Sequence, residues 1–312
     1  MRTVLFYRRF RGFNGGHLKV YDYFNHVGAS SGHRPRIWFS KDTIWDEGNP
    51  WLAFKGQALE AWPEVEPDLL FLAGLDWLAL DPERRDRSSI PIINLIQGVR
   101  HALPDNPRYP FLRYRAIRVC VSEEVRAAIL DTGRTNGPVF AIPCGLDPQR
   151  LPAPIADADK DVDLVIAALK QPDLGRQVKQ RLDRPGRRVE LLTTPLSRPD
   201  FLSRINRARV VVVLPELLEG FGLPALEGMA LGAVVVCPDV VGNRSLCRPG
   251  ENCLRPTYTP DDIVEAAEAA LRLSPAERHL MVEQGRLTAG RLNLAAERRA
   301  FLEILDHADR LL

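Results

Sequence analysis

Two carboxylates, Glu219 and Glu227, bracket the stretch Glu219-Gly220-Phe221-Gly222-Leu223-Pro224-Ala225-Leu226-Glu227. Ionised carboxylates accept hydrogen bonds and cannot donate them, so they suit hydroxyl groups. The residues between them offer the opposite chemistry. Gly220 and Gly222 let a ligand approach the backbone closely, and Pro224 belongs in the first turn of a helix, where its missing N–H costs nothing. The free N–H groups of Gly222 and Leu223, at the positive end of that helix, suit an anion and typically a phosphate. A ligand that wants both carries hydroxyls and a phosphate together. A sugar nucleotide does: its diphosphate takes amides and cations, and its hydroxyls donate to the acids.

Positioning these groups requires a strand before them and a helix after. The run Val210-Val211-Val212-Val213-Leu214 is β-branched without polar alternation, as a buried parallel strand requires, and residues 225–231 are mostly good helix formers. Glu219 is therefore expected on the loop leaving the strand, with Glu227 facing out of the first helical turn. An ordinary strand–loop–helix corner with surface glutamates is the plainer alternative.

The nonapeptide, with Pro215 upstream, closely resembles the signature of family 4 glycosyltransferases, retaining enzymes of the GT-B fold. The resemblance implies an α/β architecture of two Rossmann-like domains facing across a cleft, with a C-terminal helix crossing back to the N-terminal domain. It implies that Glu227 accepts from the ribose hydroxyls, and that Glu219 and the amides of Phe221, Gly222 and Leu223 bind the transferred sugar. It also implies front-face attack, in which the donor's own phosphate takes the acceptor's proton, with no metal and no other cofactor.

At 312 residues the chain exceeds one typical domain. Its 45% hydrophobic and 26% charged content allows a sizeable core, and a net charge of +2 gives no support for a nucleic-acid partner. Basic clusters at Arg8, Arg9 and Arg11, at Arg84, Arg85 and Arg87, and across residues 113–118 could meet a membrane or an acidic acceptor. A solvated surface is the simpler reading. Five cysteines without metal-site spacing suggest reduced thiols in a cytosolic protein. With no apolar run of membrane-spanning length, any membrane contact is expected to be peripheral.

Along the first half, strands are expected at residues 3–7, 36–40, 68–73, 90–97, 118–122 and 139–143, each followed by polar or helix-like sequence. Gly15 and Gly16 end a loop before a helix over 17–26. They resemble the glycine-rich loop that the family places beside donor and acceptor; a plain turn is the alternative. Gln97 and His101 follow the fourth strand, where the family often has donor-contacting histidines. Gln97 can bond a hydroxyl but carries no charge, whereas His101 could do either. Residues 142–147 resemble a segment that closes the family's N-terminal domain.

Residues 151–160, with two prolines and no periodicity, are expected to be the interdomain linker. Boundaries follow at 1–150, 151–290 and 291–312. Strands are then expected at 162–169, 189–193, 210–214 and 234–237. Lys170 ends the first of these and Arg176 follows, in the place where the family has two cations that clamp the donor diphosphate. The family's order is Arg then Lys; here it is reversed, and Ala168 stands where the family has glycine. Residues 237–245 take the place of the family's Gly-Gly-x-x-Glu segment, and Asn243 and Arg244 within them are expected near the nucleotide.

The resulting expectation is a retaining, metal-independent glycosyltransferase acting on a nucleotide-diphosphate sugar. The acceptor would be a glycan or a lipid-linked or polysaccharide precursor. The alternatives are a catalytically degenerate sugar-nucleotide-binding or partner subunit, and a sugar-nucleotide epimerase of the same fold. The base, sugar and acceptor are not legible from the sequence.

Overall fold

In the computed structural model, which describes residues 1–63 and 66–312, the ten apolar runs become ten strands in two all-parallel sheets. The chain divides into two units, one of Met1–Cys144 with Leu294–Leu312 and one of Gly145–Asn293.

The first unit is built on a sheet ordered β2-β1-β3-β4-β5-β6, from β1 (Arg2–Arg8), β2 (His33–Phe39), β3 (Leu69–Ala73), β4 (Ile92–Ile96), β5 (Ile117–Cys120) and β6 (Val139–Ala141). Every residue of β3 and β4 is buried, as expected of strands covered on both faces. Helix α1 (Gly15–Gly28) follows β1, its first turn capped by Asn14, whose Oδ1 accepts from His17 N at 3.0 Å. Gly15 and Gly16 therefore open the helix and do not end a loop. Helices α2 (Pro82–Arg87) and α3 (Glu123–Asp131) follow β3 and β5.

The chain returns to this unit after residue 293. Helix α9 (Leu294–Asp306) brings the buried Glu297 to α1, where Lys19 Nζ lies 2.6 Å from Glu297 Oε2 and 2.9 Å from Asp22 Oδ2. His26 Nε2 stands 3.1 Å from Glu297 Oε1. Phe301 packs edge-on against Tyr23 and Phe71 at ring separations of 4.7 and 5.9 Å. A buried acid matched by two nitrogenous partners, with an aromatic anchor one turn on, explains why the last helix docks here. The C-terminal helix is interrupted at His307, after which α10 (Ala308–Leu311) follows.

The second unit carries β7 (Val162–Ala167), β8 (Val189–Leu192), β9 (Ala208–Val213) and β10 (Val234–Val236) in the order β10-β9-β7-β8. Between and after them run α4 (Pro172–Leu182), α5 (Arg198–Asn206), α6 (Leu223–Ala230), α7 (Pro260–Arg272) and α8 (Pro275–Arg291).

The stretch expected as a linker belongs to this unit. Leu146 N already bonds Leu292 O at 2.9 Å. Asn206 ties down Ala153 O and Ile155 N at 2.9 and 3.1 Å, and the buried Lys160 donates to the carbonyls of Asn206, Ala208 and Leu231. Prolines here shape a strap against β9; three backbone acceptors and one amide hold it.

In each sheet the first strand has its successors on opposite sides: β1 lies between β2 and β3, and β7 between β8 and β9. Ligands of open parallel sheets bind beyond the carboxyl ends of the strands at such reversals. Among the described residues no helix is long and apolar enough to cross a membrane.

Candidate active site

In the second unit the strand reversal puts the ends of β7 and β9 side by side, Ala167 opposite Val213. Lys170 leaves the first and Glu219 the second, and Lys170 Nζ forms an ion pair with Glu219 Oε2. The lysine side chain is 44% exposed and the glutamate 18%. A partly exposed pair of flexible groups is worth little to stability, so both can exchange each other for a ligand.

Beside them, α6 starts at Leu223, with Gly222 in the capping position and no side chain capping the helix. Its first N–H groups remain available to an outside acceptor. Gly222 has Leu246, Ala225 and Asn243 within 3.3–3.7 Å of where a Cβ would stand. The tightest fit is at Gly242, where a Cβ would come 2.1 Å from Glu219 O. The loop after β10 is thus packed directly beneath the Glu219-Gly220 backbone, and Gly242 is required for that approach.

Glu227 does not face outward. Ala225 through Met229 are all buried, so α6 has no solvent side at this turn, as holds for a helix that is apolar all round. Arg198, the first residue of α5, places Nη1 2.6 Å from Glu227 Oε1. The approach is not aligned as a hydrogen bond, and that buried oxygen has no other donor. Burial pushes the Glu227 carboxyl above the usual carboxylate range, while the Arg198 charge opposes the shift. Arg198 has no forewarning in the sequence, because only the packing of α5 on α6 brings it to the acid.

One further expectation needs correction. Asn243 is fully buried and committed to its own loop, donating Nδ2 to Pro238 O at 2.8 Å and Cys237 Sγ at 3.1 Å. A short 3₁₀ turn over Val241–Asn243 turns the side chain inward, and Arg244 pairs with Asp239 at 2.9 Å. The Asn243 side chain does not present itself to a nucleotide. Arg176 sits one turn into α4, exposed, and pairs with Asp173. Gly175, just before it, is packed against Ala168, with 2.3 Å between an added Cβ and the alanine's. The two small residues let α4 close onto the end of β7.

In the first unit, Gln97 follows β4 and its Nε2 donates to Gly16 O at 3.0 Å. A Cβ on Gly16 would stand 3.0 Å from Asn14 Oδ1 and 3.3 Å from Gln97 Oε1, which accounts for the glycine. His101 is buried, and its pKa falls to about 3 through burial first and then the charges of Arg108, Arg100 and Arg118. Both causes favour the neutral imidazole near pH 7. Arg118, placed by sequence among surface charges, is wholly buried and donates Nη2 to the carbonyls of Phe111, Leu112 and Tyr114.

A second ion pair occupies this unit's strand reversal. Arg8, at the end of β1, lies 2.6 Å through Nη1 from Asp76 Oδ2 in the loop after β3, and its Nη2 faces His17 Nδ1 at 3.1 Å. Both partners are buried. Arg8 could have been singled out from its position at a strand's carboxyl end; Asp76 had no comparable signal.

Residues 149–274 match the family model described as Glycosyl transferases group 1. No curated protein matches the sequence. Among solved structures the chain is similar to sucrose-phosphate synthase from Thermosynechococcus elongatus, with a TM-score of 0.76 at 15% identity over 98% of this chain and 99% of that one. It is similar to Anabaena Alr3699/HepE in complex with UDP-glucose at 0.75 and 13%, over 98% and 100%. The trehalose 6-phosphate synthase from Burkholderia multivorans gives 0.66 and 14%, over 99% and 97%. With the Glu219–Glu227 stretch at the carboxyl edge of β9, residues 149–274 match the group 1 glycosyl transferase model, and the chain shares the GT-B fold of these solved structures along its length.

Proposed function

We propose that the chain moves a sugar from a nucleotide-diphosphate sugar to an acceptor hydroxyl, with retention of anomeric configuration and without a metal. The observation that carries this reading is Glu227 Oε1, a buried carboxylate oxygen with a cation beside it but no aligned donor. Buried acceptors are normally satisfied, and a ribose hydroxyl supplies the missing donor. Glu219 then releases Lys170 to bind hydroxyls of the transferred sugar, with the amides of Phe221, Gly222 and Leu223 alongside. Lys170, so released, and the start of α6 stabilise the departing diphosphate. Arg176 joins them on exchanging Asp173 for the ligand, a surface pair that costs little to break.

Charge that is in place before the leaving group departs is worth about 3–4 kcal/mol of barrier per good donor. A double displacement would need a free carboxylate nucleophile; with Glu219 occupied by the sugar hydroxyls, we favour front-face attack. The acceptor is a glycan or a lipid-linked or polysaccharide precursor. That HepE was crystallised with UDP-glucose makes uridine the first base to try.

A thermal-shift screen against UDP, GDP, dTDP and ADP sugars is expected to single out one donor base. Glu227→Gln should raise the KM for that donor about tenfold with little change in kcat, since ribose binding is equal in ground and transition states. Turnover should persist in EDTA, and the product's anomeric configuration by NMR should match the donor's. An inverted product, or no donor binding at all, would overturn the reading.

A further inference from the structure

The carboxyl edge of the first unit's sheet holds more positive than negative charge. Arg8 and Asp76 neutralise each other, and Asp76 Oδ2 is tied further by Ala73 N at 2.9 Å. Arg8 Nε is buried with no partner. Arg118, buried below, bonds only neutral carbonyls and lies over the Trp77 ring at 5.8 Å. Arg108 is the next guanidinium outward. Its side chain makes one long contact, Nη1 to Asn106 Oδ1 at 3.5 Å, and among the described residues it pairs with no carboxylate.

Arg108 Nε stands beside Gly74, the residue that turns the chain from β3 toward Asp76. Gly74 has a left-handed φ of +60°, and the position its Cβ would take is 3.6 Å from Arg108 Nε. The neighbouring imidazoles show the sign of the local field. His17 is held down at about pKa 4, by burial and then Arg8, and His101 at about 3, by burial and then Arg108 with Arg100 and Arg118. Neither adds charge near pH 7. Arg8 and Arg108 thus share the single charge of Asp76, and Arg108 is half-buried at a strand reversal where ligands bind. Asp76, already paired with Arg8, attracts Arg108 only from a distance; a half-buried guanidinium without a directly paired carboxylate is costly, and an oxyanion resolves it through paired N–H donors.

We propose that Arg108, open at the Gly74 turn and set above the Arg8–Asp76 pair, is an oxyanion site that selects an acceptor carrying a phosphate monoester or a carboxylate. The proposal rests on the transferase reading in taking the anion to be the acceptor's. Arg8 and Asp76 form the floor that keeps the β1 and β3 loops in register, and Arg108 supplies the fork.

The test uses the full chain, with binding followed by calorimetry and thermal shift. Inorganic phosphate, glucose 6-phosphate, glucuronate and glucose are the probes. The two charged sugars separate phosphate from carboxylate, and glucose is the uncharged control. Anionic probes should raise Tm, as any ligand of the folded state does, and glucose should not. Arg108→Gln should weaken anion binding about tenfold or more, and Arg108→Lys by less, because a point charge keeps attraction but loses the fork. UDP or UDP-glucose binding should change less than about twofold in both variants.

That last readout separates the two ideas, since a failed donor screen with intact anion binding condemns only the transferase reading. Equal anion binding by wild type and Arg108→Gln overturns the site. So does an anion effect that is lost in Lys170→Ala and kept in Arg108→Gln, which would put the anion in the second unit. Absence of binding by all three anions at millimolar concentrations also overturns it.

Discussion

The two units solve the same geometric problem with opposite emphasis. Each closes its strand reversal with a cation from the first strand of its sheet and a carboxylate from the loop after a neighbouring strand: Arg8 with Asp76, and Lys170 with Glu219. The first pair is 10% and 7% exposed by side chain, the second 44% and 18%. Burial makes the first a fixture, because separating it would leave a bare charge in a poorly polarisable interior. Exposure makes the second exchangeable, since water and salt already weaken it. The cation types agree with this division. Arginine suits a buried pair with several partners, whereas lysine is a mobile point charge able to follow a departing phosphate.

The comparison would break most visibly at Arg8. Arg8→Met should lower stability by about 3–5 kcal/mol, the usual cost of stranding one member of a buried pair, read by denaturant unfolding. Lys170→Ala should do the reverse. We expect kcat to fall by about 10²–10³ while stability changes by less than about 1 kcal/mol. Should Arg8→Met leave stability intact, or Lys170→Ala lower it as much, the distinction between fixture and working pair would be lost.

Gly242→Ala sharpens the second unit's side of the comparison. A methyl group 2.1 Å from Glu219 O must push the loop away, and a displacement of about 1 Å at an active site can cost about 10²-fold. A loss of about 10–10² in kcat is expected, with nucleotide binding weakened less. If kcat were unchanged, Glu219 would not need the seat that the structure gives it.

The smallest expected effect is on pH dependence, and it comes from the first unit. His101, with its pKa lowered to about 3, and His17, lowered to about 4, bind protons less readily folded than unfolded. Their contribution to stability is full above the ordinary histidine range and is lost as pH falls from there toward about 4 and about 3. Asp76, raised to about 6 chiefly by burial, acts with the opposite sign: it holds its proton in the folded state where the unfolded chain has lost it. Its share of stability therefore falls as pH rises toward 6.

Between the ordinary aspartate value of 3.8 and about 6, two histidines against one aspartate leave a net rise of stability with pH. One proton's difference is worth about 1.4 kcal/mol per pH unit. His101→Gln should remove about that slope in unfolding experiments across this range. An unchanged slope would mean that His101 is not held neutral.

Much of the scaffold could be read from residue order. Strands such as Val210-Val211-Val212-Val213 and Leu69-Leu70-Phe71-Leu72 announce themselves because a strand buried on both faces needs an unbroken apolar run. Pro224 marks the start of α6 to within a residue, since proline is tolerated only in the first turn. Boundaries were harder where polar tethers override composition. The proline-rich stretch after Leu151 looks like a free linker, yet Asn206 and Lys160 bind it to the second unit.

Local pattern also determined which residues end which strand, and therefore that Lys170 and Glu219 lie at carboxyl edges near a helix start. Only tertiary packing decided what those side chains face. Glu227 is turned inward because α6 is buried all round, Asn243 is consumed by its own loop, and Arg198 and Arg108 reach their places from segments distant in sequence. Periodicity is a property of neighbours along the chain, whereas charge pairing and burial depend on which distant segments the fold lays against them.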